Sequence, residues 1–187
     1  GLWYGTGYAN QVKPLNDTLY NRKEDIIKAK NFDEFFEIYK DELHKHLTRD
    51  MEVGNMLHAY ASKDECILGS LFMTGCIEKG LSMHKGGASG FSEMGGGAGL
   101  MCTIDSLAII KQFVFDEKIV SAEEMLNALE NNWDGYEHLH SMILKKGNFF
   151  GNDYKLSDEV AKKVTTAINE FAKDKTDIFG KHYIGVV

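Results

Sequence analysis

Residues Gly75–Lys111 read GCIEKGLSMHKGGASGFSEMGGGAGLMCTIDSLAIIK, and this stretch decides the fold. It opens on a helix that Gly80 should end in the left-handed conformation glycine favours. It closes inside a new amphipathic helix carrying Leu100, Ile104, Leu107, Ala108 and, further on, Val114 on one face. Between the two lie seven glycines from Gly86 to Gly99. Such a density costs conformational entropy and is kept where backbone must pass through a tight space or at positive φ.

Outward from that loop the pattern is helical. Val12, Leu15 and Leu19 fall at helical spacing, with Pro14 tolerated in the first turn. Asn31 with Glu34 forms a capping-box-like start. Behind it Phe32, Phe35, Phe36, Tyr39, Leu43 and Leu47 make one apolar face of a helix expected to run toward Ala61. A second helix is expected over Asp64–Lys79 with Ile67, Leu68, Leu71 and Phe72 inside. Ser121 and Glu124 predict a helix through Asn131, and Glu137–Lys146 a shorter one ending at Gly147. Ser157 is expected to cap a last helix that buries Val160, Val164, Ala167, Ile168 and Phe171. Residues 1–10 read as loop or short strand, and Tyr183–Val187 as the start of a buried strand. Strands are few, and both ends read as cuts through a larger chain.

Composition narrows the function. The 187 residues are 43% hydrophobic and 26% charged, ordinary for one globular domain. A net charge of −7 with no basic stripe excludes a nucleic-acid partner. No apolar run reaches the length of a membrane span, and no signal peptide is visible. Cys66, Cys76 and Cys102 form neither a disulfide framework nor a zinc motif, which fits a reducing cytoplasm.

The candidate chemistry is sparse. Gly95–Gly99 before a helix invites a phosphate-binding reading, yet the spacing matches neither G-x-G-x-x-G nor a P-loop. His44 with His46, and His138 with His140, lie two apart on helices, about 200° around the axis. Neither pair can hold one metal, and solvated helix faces are the expectation. Cys76, in Gly75-Cys76-Ile77-Glu78, stays open between a reactive thiol beside a carboxylate and a small side chain packed on a helix.

Several motifs in order resemble one family. Gly75–Gly80, Gly86-Gly87-Ala88, Asp105-Ser106-Leu107-Ala108 with Lys111 and Val114-Phe115, and Glu123–Asn132 with Trp133–Glu137 follow its run in register. Phe150-Gly151-Asn152-Asp153 looks like its YGND stretch. The family is that of the glycyl radical enzymes, the pyruvate formate-lyase-like superfamily, and the match covers nearly the whole chain.

The resemblance implies an α/β fold: a predominantly helical segment of a ten-stranded α/β barrel, with residues 1–187 as part of that one domain. It implies that Cys76 is structural, because the family's thiyl cysteine lies in a similar motif earlier in the chain. The Gly-rich loop becomes close-packed barrel backbone. Trp3-Tyr4-Gly5-Thr6-Gly7-Tyr8 resembles the segment after the thiyl cysteine in the lyase and dehydratase branch, which makes Tyr8 the candidate substrate-binding residue. Neither the thiyl cysteine nor the radical glycine is matched here, so no catalytic residue is assigned.

The implied activity of the complete protein is radical elimination from a small substrate, cleaving a C–O, C–N or similar bond. The radical would be installed by a separate S-adenosylmethionine-dependent iron–sulfur activating enzyme, with no metal or cofactor bound by this chain. The remainder of the barrel, or companion subunits, and a homodimeric complete enzyme are further implications. The alternative is a non-catalytic segment that completes a barrel with partner chains.

Overall fold

The computed structural model describes residues 4–5, 10–90, 92–93 and 98–184. In chain order its elements are β1 (Tyr4–Gly5), α1 (Val12–Asn21), α2 (Lys23–Lys28), α3 (Phe32–Ala61), α4 (Ile67–Leu71) and α5 (Cys76–Lys79). A 3-10 turn (Met83–Lys85), β2 (Ser92–Glu93) and α6 (Leu100–Ile110) follow, α6 continuing into a π-helical turn (Lys111–Asp116). The chain ends with α7 (Ala122–Glu130), α8 (Glu137–Lys146), α9 (Lys155–Ala172) and β3 (Tyr183–Ile184). Two compact units divide these residues.

One unit takes Asn10–Leu43 and Ala98–Val164. Two of its helices, α3 and α7, start where side chains satisfy the free N–H groups of a first turn. The Asn31 side chain accepts from the Glu34 N–H at 2.9 Å, and the Glu34 carboxylate accepts from the Lys30 N–H at 2.8 Å. Ser121 accepts from the Glu124 N–H at 3.1 Å. Phe32, Phe35, Phe36, Tyr39 and Leu43 are all buried. Phe115 packs on Phe32 and Phe35 with ring centroids 6.2 and 5.8 Å apart. Each fully buried phenylalanine stabilises the unit by about 1.5–3 kcal/mol.

Lys163 covers the outside of that cluster. It lies 4.7 Å from the Phe36 ring centre and pairs with Asp33, holding that carboxyl below its ordinary value. A second cluster joins Ile109, Phe113, Val120, Met125 and Ile143. The π turn contributes to it. Glu117 N–H donates to Gln112 O at 2.8 Å, a bond spanning five residues, and the wide turn buries Gln112 with Phe113.

The other unit takes Gly1–Ala9, His44–Gly97 and Thr165–Val187. Its three short strands form a parallel sheet in the order β1-β2-β3, with Ser92 opposite both Tyr4 and Tyr183. The strand expected at Tyr183 is therefore present, and the Gly-rich loop supplies the middle strand. Gly80 ends α5 at φ 62°, as expected. Gly75 and Gly87 have no room for a side chain: a Cβ would strike Ser89 at the first and the Leu81 carbonyl at the second.

Three expectations need correction. The helix expected over Asp64–Lys79 is broken into α4 and α5, because Gly75 sits at φ 94°, where a right-handed helix cannot continue. Its apolar residues are not inside: Ile67, Leu68, Leu71 and Phe72 are 70%, 73%, 56% and 82% exposed. The buried side of α4 is Ser70, whose hydroxyl donates to Cys66 O and accepts from Met83 N–H. Ser157 does not cap α9. It lies inside the helix, fully buried, and its hydroxyl donates to Tyr154 O at 2.9 Å. Of the four paired histidines, only His138 is exposed; His46 is half-buried, His44 packs on Phe171 at 4.9 Å and His140 stacks on Trp133 at 4.7 Å.

A turn ahead of β3 is clamped onto the last part of α3. Asp177 accepts from the Phe179 and Lys181 N–H groups at 2.8 and 2.9 Å. Asn55 accepts from Ile178 N–H and from the Tyr183 hydroxyl, each at 3.2 Å. His58, 5% exposed, stacks on Phe179, and its Nδ1 stands 3.9 Å from the Asp177 carboxylate.

Burial holds the His58 imidazole below its ordinary value of 6.5; Asp177 opposes this, while Lys181 and His84 add to it. The unfolded chain then binds the proton more readily than the folded one. Stability is fully present above pH 6.5 and falls as the pH drops below that value toward the lower folded one. Thermal unfolding followed from about pH 7 to pH 5 should show Tm falling with acid. His58→Phe, which keeps the ring stack, should flatten that part of the curve. An unchanged slope would remove His58 from the account.

Candidate functional site

In parallel α/β sheets, ligands collect beyond the carboxyl ends of the strands, where loops of different origin meet. Here the short parallel sheet is the part of the fold to which that rule applies. β1 ends at Gly5, three residues before Tyr8, the candidate substrate-binding residue. Tyr8 itself lies outside the described residues, as do Gly95, Gly96 and Gly97 of the loop weighed for phosphate binding. Gly99, at the end of that loop, caps α6.

The side of β3 where the chain enters is built with care. Tyr183 is buried, its hydroxyl donates to Asn55, and burial together with Asp177 pushes its phenol up to about 12. At neutral pH it stays protonated and is a positioning group, not a base. Burial also lowers the Lys181 ammonium, with Asp177 opposing. Asn55, Asp177 and Tyr183 thus set the height and tilt of β3, and β2 and β1 pair in register from it. Sequence reasoning missed this cluster, because Asn55 lies more than a hundred residues from Asp177 and Tyr183. The signal available was the Asp177–Gly180 turn pattern before a strand.

Cys76 is 4% exposed at the start of α5, and its carbonyl accepts from Leu81 N–H at 3.1 Å. Its thiol is free, as are those of Cys66 and Cys102. Burial at the foot of a short helix suits a packed thiol. In the other unit, the motif residues singled out in the sequence meet directly. The Asp105 carboxylate accepts from Phe150 N–H at 2.8 Å, which ties the DSLA helix to the FGND turn. Gln112 secures the same connection: its carboxamide oxygen accepts from Asn148 N–H at 3.0 Å and its nitrogen donates to Lys146 O at 3.2 Å. These contacts position backbone; no nucleophile–base pair forms among them. No helix among the described residues is long and apolar enough to cross a membrane.

Comparison with known proteins completes the picture. The chain is 30% identical over 191 residues to trans-4-hydroxy-L-proline dehydratase of Clostridioides difficile, covering 95% of this chain and 24% of that protein. It is 29% identical to isethionate sulfite-lyase of Bilophila wadsworthia, covering 90% of this chain and 22% of that one. The crystal structure of the C. difficile hydroxyproline dehydratase, with trans-4-hydroxy-L-proline bound, superposes with a TM-score of 0.87 at 28% identity, over 98% of this chain and 25% of that one. The chain spans about a quarter of the length of these relatives. Its fold is a predominantly helical segment of the α/β barrel of glycyl radical enzymes. Residues 4–187 match the family model described as pyruvate formate lyase-like, and the chain belongs to that family.

Proposed function

We propose that these residues form part of a glycyl radical lyase or dehydratase whose complete polypeptide eliminates water, or another small group, from a small substrate. The observation that carries this reading is the pairing of a full-span family match with dehydratase and sulfite-lyase relatives across at least nine-tenths of the chain. Residues 1–187 would then be one section of a single barrel domain, working in the cytoplasm. The single glycyl radical of the complete enzyme, installed by a separate activating enzyme and passed to its cysteine, would supply hydrogen-atom abstraction. This chain's share is to hold the barrel strands in register and to present Tyr8 beside the substrate. A tyrosine suits that task, with a broad apolar face and one hydroxyl to orient a polar group.

The test is the complete polypeptide, activated anaerobically by its activating enzyme and S-adenosylmethionine. A glycyl radical signal in electron paramagnetic resonance and an elimination product from a small hydroxylated or sulfonated substrate are expected. A complete polypeptide that takes up no radical would sink the proposal. In the active enzyme, Tyr8→Phe should lower kcat/KM by roughly ten- to a hundredfold, the effect of one lost hydrogen bond to substrate. Unchanged kinetics would reduce Tyr8 to packing. Cys76→Ala should keep substantial turnover while stability drops by about 1–2 kcal/mol. Loss of all turnover in a Cys76→Ala protein that folds and carries the radical would make Cys76 a reacting group.

A further inference from the structure

We infer that Asp134–Gly135 is a site of spontaneous modification, where the chain rearranges to an isoaspartyl linkage with the Glu137 carboxylate as proton acceptor. Asp134 is the only aspartate or asparagine in the chain that a glycine follows. That neighbour matters because the rearrangement begins with attack by the following main-chain nitrogen on the aspartyl side chain. A residue without Cβ leaves its nitrogen open to this approach. Both residues are exposed, and a Cβ at Gly135 would meet nothing within 4 Å. Gly135 stands at φ 79°, just after Asn132 at 50° and Trp133 at 67°, in the turn between α7 and α8. Its N–H is given to the Glu137 carboxylate at 3.1 Å and to no main-chain carbonyl among the described residues. Glu137's own N–H and that of Gly135 hold this carboxyl below its ordinary value, so it is ionised at neutral pH. An ionised carboxylate already seated on the N–H is placed to take its proton.

The step balances without any other reactant. With the Asp134 carboxyl in its acid form, the Gly135 nitrogen bonds to Asp134 Cγ and the bond from Cγ to the hydroxyl breaks. Glu137 takes the amide proton and passes it to the departing hydroxyl, which leaves as water. Water then opens the resulting imide ring at either carbonyl, giving aspartate back or an isoaspartyl linkage of the same composition. The isoaspartyl form carries one more atom in the main chain. The bond from Tyr136 N–H to Trp133 O, 2.9 Å, and the stack of Trp133 on His140 both span that point. An added main-chain atom there loosens Trp133 from the cluster of Ile109, Phe113 and Ile143 against which it packs. Asp105–Ser106 is the contrast within the same unit. It too is an aspartate before a small residue, but it lies inside α6 and its carboxylate accepts from Phe150 N–H. Attack there requires the helix to open first.

The complete polypeptide is incubated for weeks at near-neutral pH, digested, and its peptides assayed by mass spectrometry and by methyl transfer from an isoaspartyl methyltransferase. Isoaspartate at position 134 should exceed that at position 105 by at least about tenfold. Glu137→Gln, whose side chain still accepts the Gly135 N–H but cannot take its proton, should slow the accumulation by at least about threefold. Asp134→Glu, whose longer side chain disfavours the small imide ring, should abolish it. Asp134→Asn, with ammonia as the leaving group, should convert faster than the natural chain. Comparable accumulation at positions 134 and 105 overturns the proposal. So does an unchanged rate in a Glu137→Gln protein of unchanged Tm, which would remove the carboxylate from the step. An Asp134→Asn protein that does not convert also overturns it, because the turn would then hold nitrogen and Cγ apart. The readout needs no turnover, so its failure leaves the proposed function untouched.

Discussion

The close backbone packing between Thr74 and Ser89 governs the unit that carries the sheet. Ser89 N–H donates to Thr74 O at 2.7 Å, and Gly87 N–H to Ser82 O at 3.0 Å. These bonds fold the chain back on itself immediately before the central strand β2. They form only because Gly75 and Gly87 lack side chains, since a Cβ at either would run into neighbouring atoms of the same fold-back. Backbone groups this close to one another satisfy their own hydrogen bonds without a long helix or a wide sheet. The middle strand then enters between β1 and β3 at a set height. The Asn55–Tyr183 contact does the same for β3 from the other side.

Helices with a buried side were legible in the residues wherever the apolar stripe met something to cover it. The stripe from Phe32 to Leu47 and the caps at Asn31 and Ser121 all stand as read. The stripe at Ile67–Phe72 was just as plain and misleads. Periodicity records which side of a helix is greasy; it does not record what lies against it. Ser70, the residue α4 buries, reads as an ordinary polar residue because its stabilising partners, Cys66 O and Met83 N–H, are backbone groups.

The candidate site was legible to a different degree. The motif order identified the family, and of the Gly-rich loop the described Ser92–Glu93 stands in the sheet as β2. The cluster of Asn55, His58, Asp177 and Tyr183 was not visible, because Asn55 and His58 look like two polar residues on a long helix. Only the returning turn, more than a hundred residues later, gives them meaning. Asp105 shows the opposite case. Its place in the DSLA motif carries no role that the sequence alone states, and the structure supplies one in its bond to Phe150 N–H.

The wide turn at Lys111–Asp116 has an evolutionary consequence. An α-helix that carries one extra residue in a π turn displays its later side chains about 100° out of phase with the earlier ones. Gln112 lies at the start of that turn, is buried, and holds the main chain at Lys146 and Asn148. A single-residue deletion within 113–116 would restore regular α geometry and move Glu117, whose carboxylate accepts from the same carboxamide, around the helix axis. The length of this helix and the conformation of a loop some 35 residues away are therefore one inherited character. Insertions and deletions in the two places belong together when descendants of this chain are compared.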